Sequence, residues 1–235
     1  MPESSPHQLY RGDGVRMWVA AELENAESWA EWLQGGEKML AERALQADTV
    51  LGHGRGQTRR VLLGDGVPGV WRVNRHGGLL GGVQGDRYRT PARLAAEVQL
   101  SEDLRARGIA TPKVLLALAV KSGLSWRQHL LTEEIVGATT VFDARVDAAA
   151  LAAADELLNR LCDVGLWATD LHPANMLWQA AQDGAEPDGR CWVIDLAGAK
   201  LLAGPLSADQ RSARRQRFAR YFAKHAGQIP APFCG

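Results

Sequence analysis

The sequence predicts an α+β protein in two parts, a small β-rich N-terminal lobe with one key helix and a mostly helical C-terminal lobe. Three observations carry this expectation. Short β-type runs separated by glycines fill residues 49–73, one well-marked helix follows at about 90–108, and helical spacing takes over from residue 147. The change of character near residues 134–138 divides the chain into lobes 1–135 and 136–235.

The elements follow in order. Residues 22–46 read as a helix, with Trp29, Trp32, Met39 and Leu40 forming an apolar stripe that breaks at Gly35-Gly36. Val50-Leu51, Val61-Leu62-Leu63 and Val70-Trp71 read as strands of a small antiparallel sheet. Thr90 is a natural N-cap, Pro91 suits a first helical position, and Gly108 provides a stop. In that helix Leu94, Glu97, Val98, Ser101 and Leu104 share one face. Glu97 thus points inward with apolar neighbours. A buried carboxylate without a partner costs several kcal/mol, so a cation is expected opposite it.

Residues 112–120 and 127–135 have the pattern of two more strands. Asp147 caps a helix through about Asp163, with Leu151, Leu157, Leu158 and Leu161 on its core face and Gly165 at its end. Met176-Leu177-Trp178 and Cys191-Trp192-Val193-Ile194 read as a hairpin around a polar loop, and the final 30 residues as helical and basic.

Bulk composition narrows the function classes. Lys+Arg 27 balances Asp+Glu 27, which argues against a nucleic-acid binder. No apolar run approaches the roughly 18–20 residues that span a bilayer. The start Met1-Pro2-Glu3-Ser4-Ser5-Pro6 lacks the pattern of a secretory signal. Three scattered cysteines, Cys162, Cys191 and Cys234, show no metal spacing and fit a reducing compartment.

The chemistry-bearing residues lie in Thr169-Asp170-Leu171-His172-Pro173-Ala174-Asn175 and in Val193-Ile194-Asp195. Phosphoryl transfer needs a carboxylate to orient an attacking hydroxyl, and a carboxamide and second carboxylate to hold Mg²⁺ on ATP. Asp170 fills the first role, and Asn175 and Asp195 are the metal ligands. Taken alone, D-x-x-x-x-N is a weak signal. Upstream features join it in the expected order. Gly54 and Gly56, within Gly52-His53-Gly54-Arg55-Gly56, would let backbone N–H groups approach phosphates, although an isolated Gly-rich loop is also a simple turn. Arg72 sits on a strand where a phosphate-binding cation is needed, and an Arg72–Glu97 ion pair would solve the buried-carboxylate problem.

With these residues assembled, the chain resembles the lipopolysaccharide kinase family, and within it the kinases of 3-deoxy-D-manno-octulosonic acid (Kdo). The resemblance runs from about Gly54 to Lys200. It includes Gly69-Val70-Trp71-Arg72 followed by Arg75-His76-Gly77-Gly78-Leu79, and Glu97-Val98-Gln99-Leu100. It continues through Gly108-Ile109-Ala110-Thr111-Pro112, Leu131-Thr132-Glu133-Glu134-Ile135, Thr169-Asp170-Leu171 with Asn175, and Ile194-Asp195. It implies a two-lobed protein-kinase-like fold and ATP-dependent phosphorylation of a hydroxyl on a Kdo-bearing lipid A precursor. The implied place of action is peripheral, on the anionic cytoplasmic face of the inner membrane. Asp170 is then the active-site residue, ATP and Mg²⁺ the cofactors, and the segment around Gly137 the hinge over the adenine. Two positions depart from the family pattern. Ala168 stands where a His is usual, and Asp195-Leu196-Ala197 replaces Asp-Phe-Asp.

Other acceptors stay open, namely another sugar-like hydroxyl compound of the heptose or aminoglycoside type. A nucleotide-binding module without catalysis is disfavoured by the retention of Asp170, Asn175, Asp195, Glu97 and Arg72. Two basic stretches bear on the acceptor. Arg72, Arg75, Arg87, Arg89 and Arg93 hold one acid among them, Asp86. In the last helix, Arg211, Arg214, Arg215, Arg217, Arg220 and Lys224 accompany Phe218, Tyr221 and Phe222. That helix either lies on an anionic membrane or packs its aromatics on the larger lobe.

Overall fold

A computed structural model describes residues 6–46, 50–52, 58–74, 85–181 and 189–234. The chain forms two compact units, Met1–Gln99 with Lys113–Glu134, and Leu100–Pro112 with Ile135–Gly235.

The first unit is built on a seven-stranded antiparallel sheet. Its strands are β1 (His7–Gly12), β2 (Val15–Ala20), β3 (Val50–Gly52), β4 (Thr58–Leu62), β5 (Pro68–Val73), β6 (Val114–Ser122) and β7 (Ser125–Glu133), in the order β1-β2-β6-β7-β5-β4-β3. The β1–β2 hairpin is an element the sequence reading leaves unassigned. Its signal is Asp13-Gly14, a two-residue connection in which Gly14 takes φ +66° as such tight turns require.

Strand alternation divides this unit's core between the two faces of the sheet. On one face Met17, Val19, Val61, Leu116, Leu118 and Leu131 pack with Trp32 and Leu40 of α1 (Trp29–Gln46). Helix α1 begins at Trp29, later than the predicted residue 22. A short 3₁₀ turn, Ala21–Leu23, comes first, and the Trp29 indole N–H donates back to the Leu23 and Glu24 carbonyls. The expected break is present at Gly35, which leaves helical geometry at φ −144°. On the opposite face Val114, Ala117, Ala119 and Leu130 pack with Leu94 and Val98 of α2 (Ala92–Ala106). Thr90 Oγ1 accepts from the Ala92 N–H at the start of this helix, and Gly108 follows its end at φ +73°.

The second unit centres on α3 (Ala148–Asp163) and α4 (Ala208–Ala226). Asp147 caps α3, one carboxylate oxygen accepting from the Ala149 and Ala150 N–H groups and the other from the Trp178 indole. Gly165 ends the helix at φ +78°, where a Cβ would lie 2.3 Å from the Gly204 carbonyl oxygen. β8 (Thr139–Thr140), β10 (Met176–Gln179) and β11 (Arg190–Val193) make a three-stranded sheet, and β9 (Leu166–Trp167) pairs with β12 (Lys200–Leu201). The hairpin expected around Met176 and Val193 is therefore present, in register Met176↔Val193. Leu157, Leu158, Leu161, Met176, Trp178, Val193, Phe218 and Phe222 form the core of this unit.

Ser207 starts α4 with a capping box shared with Gln210. Phe218 and Phe222 are fully buried, so the aromatics of this helix turn inward. Four of its basic residues are bonded within the same unit. Arg211 pairs with Asp163 and Arg215 with Asp155, each at 2.7 Å, while Arg214 donates to the Ala168 carbonyl and Arg217 to Asp170. Cys162 and Cys191 are buried; burial pushes the Cys191 thiol up to about 12, as befits a core residue.

Candidate active site

In the first unit Arg72 and Glu97 meet as expected. Arg72 lies on β5 opposite Leu130 of β7, so both project to the sheet face covered by α2. Glu97 comes down from that helix and is almost fully buried. Arg72 Nη2 donates to Glu97 Oε1. Asn74, two residues along the same strand direction, completes a closed triad. Arg72 Nη1 donates to Asn74 Oδ1 at 2.6 Å, and Asn74 Nδ2 donates to Glu97 Oε2 at 3.1 Å. Both carboxylate oxygens are thus satisfied, which is the condition for burying such a charge. Sequence reasoning missed Asn74. Period-2 spacing from Arg72 was the available clue. The Arg72 side chain keeps about a quarter of its surface exposed, at 24%. Gly54, Gly56 and residues 75–79 lie outside the described residues.

In the second unit Asp170, Asn175 and Asp195 come together through the backbone of one loop and one strand end. Leu171 and Pro173 are buried and anchor the loop, and Pro173–Asn175 forms a 3₁₀ turn. Asn175 Nδ2 donates to the Asp170 carbonyl at 2.9 Å. That bond fixes the carboxamide so that its oxygen is the free end. The Ile194 N–H donates to the Asn175 carbonyl at 3.0 Å, tying the end of the β11 strand to the loop. Asp195 follows with φ +56°, the one non-glycine residue at positive φ among those described. A left-handed conformation costs an ordinary residue of order 1 kcal/mol or more, and such strain gathers at functional sites.

The donor set suits magnesium. Asn175 and Asp195 offer hard oxygen ligands, and Mg²⁺ in phosphate sites is held by one or two such side chains together with the phosphates. No group of three His, Cys, Asp or Glu side chains able to cage a metal exists among the described residues.

Helix α4 braces the Asp170 loop along its length. Arg214 reaches the Ala168 carbonyl and lies over the Trp167 ring at 4.3 Å. The space behind the loop at Ala168 is therefore served by an arginine from another element. Arg217 Nη2 donates to Asp170 Oδ1 at 2.9 Å. Tyr221 stacks on His172 with ring centroids 4.4 Å apart. Positions 214, 217 and 221 share a helical face, and they meet alternate loop residues 168, 170 and 172. Burial lowers the His172 pKa, and the nearby Arg217 charge acts the same way against the Asp170 carboxylate. A neutral imidazole at ordinary pH follows.

The family model for the lipopolysaccharide kinase (Kdo/WaaP) family matches residues 42–211. The chain belongs to that family. Among Kdo/WaaP relatives, a 3-deoxy-D-manno-octulosonic acid kinase of Haemophilus influenzae is 29% identical over 214 residues, covering 85% of this chain and 86% of that protein. One of the same name from Vibrio parahaemolyticus is 33% identical over 139 residues, 56% of this chain and 54% of that protein. Of solved structures, WaaP in complex with acyl carrier protein superposes with a TM-score of 0.55 at 16% identity, covering 88% of this chain and 80% of that one. The Rio2 kinase–ADP/Mg²⁺–phosphoaspartate complex of Chaetomium thermophilum gives 0.53 at 14% identity, covering 97% and 68%. The fold of this Kdo/WaaP family member is accordingly kinase-like, as the sequence predicts.

Proposed function

We propose that this chain is an ATP-dependent kinase that phosphorylates a hydroxyl of Kdo on a lipid A precursor, in assembly of the lipopolysaccharide core. The observation that carries the reading is the gathering of Asp170, Asn175 and Asp195 on one loop and strand end, in a chain of the Kdo/WaaP family.

In this reading Asp170 orients the acceptor hydroxyl and takes its proton as the bond to the γ-phosphorus forms. Asn175 and Asp195 hold Mg²⁺, which when bound neutralises charge on the ATP phosphates. Arg72, held by Glu97 and Asn74, directs its guanidinium at phosphate oxygens, and Gly54 and Gly56 supply backbone N–H groups to the nucleotide. Gly137, at φ +74°, serves as the hinge beside the adenine. The lobes of the reaction are residues 1–135 and 136–235.

The acceptor is a lipid, so we place the protein peripherally on the cytoplasmic face of the inner membrane. No described helix is long and apolar enough to cross a membrane. Arg87, Arg89 and Arg93 are the basic residues proposed to face acceptor phosphates or anionic lipid, with Arg220 and Lys224 of α4 as further surface charges.

Mass spectrometry of a Kdo-bearing lipid A precursor, incubated with protein, ATP and Mg²⁺, tests the reading. A gain of phosphate is expected, and Asp170→Asn should cut the rate by roughly 10²–10⁴-fold. Unchanged turnover by that variant would remove Asp170 from the mechanism.

A further inference from the structure

The inference concerns Arg217 and deepens the proposed function, on which it rests. The acceptor in that reading is a sugar acid, and it must present a hydroxyl to Asp170. It therefore brings one carboxylate toward another. At close range like charges repel, so a cation is needed beside Asp170. The neighbouring His172 does not fill that place: its Nε2 lies 3.8 Å from Asp170 Oδ1, beyond hydrogen-bond range, and its ring is held in a stack on Tyr221.

Arg217 is the cation at that place. It is permanently charged, and its planar guanidinium matches carboxylate geometry. The bond from Nη2 to Asp170 Oδ1 is the one hydrogen bond it makes among the described residues. Its side chain is 39% exposed, and that of Asp170 63%, so the pair is open to an incoming ligand. Its neighbours in the helix are committed elsewhere, Arg214 to the Ala168 carbonyl and Tyr221 to the His172 ring. Arg214 is itself buried, whereas Arg217 is partly exposed and, with its Nε buried, keeps the Nη1 N–H donors for a ligand.

We propose that Arg217 is the acceptor-recognition residue, binding the carboxylate of the sugar acid through its Nη1 N–H donors while Nη2 holds Asp170 against the hydroxyl. The same side chain then selects an anionic acceptor and sets its distance from the catalytic carboxylate. An acceptor lacking the carboxylate loses this contact and leaves only Asp170 to position it. Arg217 also lies beyond residue 211, where the family match ends, so the family model itself assigns it nothing.

The test uses the full-length protein with two acceptors, the Kdo-bearing lipid A precursor and its carboxyl methyl ester, and the variants Arg217→Ala and Arg217→Lys. With the unaltered protein, esterification should raise KM roughly 10- to 100-fold, the range for losing a charged hydrogen-bonded contact. Arg217→Ala should raise KM for the free acid by a similar factor, and esterification should then add little. Arg217→Lys, keeping charge without the planar fork, should fall between.

If the unaltered protein uses acid and ester equally well, the proposal is overturned while the kinase reading stands. If Arg217→Ala lowers kcat equally on both acceptors with KM kept, Arg217 merely braces Asp170 and the proposal again falls. Failure of the unaltered protein to phosphorylate the free acid would overturn the proposed function and this inference together. The comparison of acid and ester on the unaltered protein needs no variant to fold.

Discussion

Two arginine–carboxylate pairs sit at the proposed functional residues of the two units, and they differ in burial. Glu97 has 3% of its side chain exposed and both oxygens bonded, to Arg72 and Asn74. Asp170 has 63% exposed and shares one oxygen with Arg217. Desolvation makes the first pair obligatory for Glu97, which left alone would be a charge that water cannot reach. Solvent screening makes the second pair worth little to the fold, so it can be remade around a ligand. The same chemistry thus serves as a fixed strut in one place and an exchangeable contact in the other. Burial alone decides which.

Removing Glu97 gives the sharpest contrast. Glu97→Ala should destabilise the protein by about 3–5 kcal/mol in urea unfolding, since it removes the buried carboxylate that both Arg72 and Asn74 donate to. A change within about 1 kcal/mol would break the comparison. Replacing Arg72 and Glu97 together by Met should recover much of that stability without recovering phosphoryl transfer.

A buried group can also be accommodated by losing its charge, and His129 does this in the first unit. Its ring is 3% exposed, stacks on Trp71 at 5.8 Å, and has no hydrogen-bond partner on either nitrogen among the described residues. Burial, aided by the Arg127 charge and opposed by Asp86, lowers its pKa from 6.5 to about 4. Glu37 Oε1, 3.6 Å away, is too distant for a hydrogen bond. Between those pH values the unfolded chain binds a proton that the folded chain refuses. Stability is therefore unaffected by this group above pH 6.5, and falls as the pH drops toward 4, by on the order of 3 kcal/mol. Thermal unfolding at pH 7 and pH 4.5 should show the loss, and His129→Phe should flatten it. An equal slope in that variant would assign the effect to other groups.

The smallest effect is expected at the exposed pair. Arg217→Ala should change unfolding stability by no more than about 1 kcal/mol. A loss comparable to that of Glu97→Ala would mean the second pair is structural after all, and the contrast would vanish.

These pairs also show what the sequence could reveal. Arg72–Glu97 was legible because helical spacing placed Glu97 among Leu94, Val98 and Leu104, and one strand cation stood upstream in the right place. The order of Asp170, Asn175 and Asp195 was legible because each is tied to a local element whose caps and stops are explicit, such as Asp147 and Gly165. The positive φ of Asp195 was not, since conformation at a strand end follows from tertiary placement. The β1–β2 hairpin was announced only by Asp13-Gly14, in a segment with weak alternation. The α4 contacts were hidden for a different reason. The basic and aromatic pattern of that helix suits a membrane face or a protein face equally well, and only docking of Phe218 and Phe222 into the core aims Arg214, Arg217 and Tyr221 at the loop.

That docking sets apart what identifies the chain from what completes it. The family match closes at residue 211, whereas Arg214, Arg217, Tyr221 and the core residues Phe218, Phe222 and Phe233 all follow it. A chain cut at that boundary would still carry every motif by which its kin are recognised. It would also bare the apolar surface those phenylalanines cover and strip the Arg214, Arg217 and Tyr221 contacts from the Asp170 loop. Kinship is written in the middle of this sequence; the working loop leans on its tail.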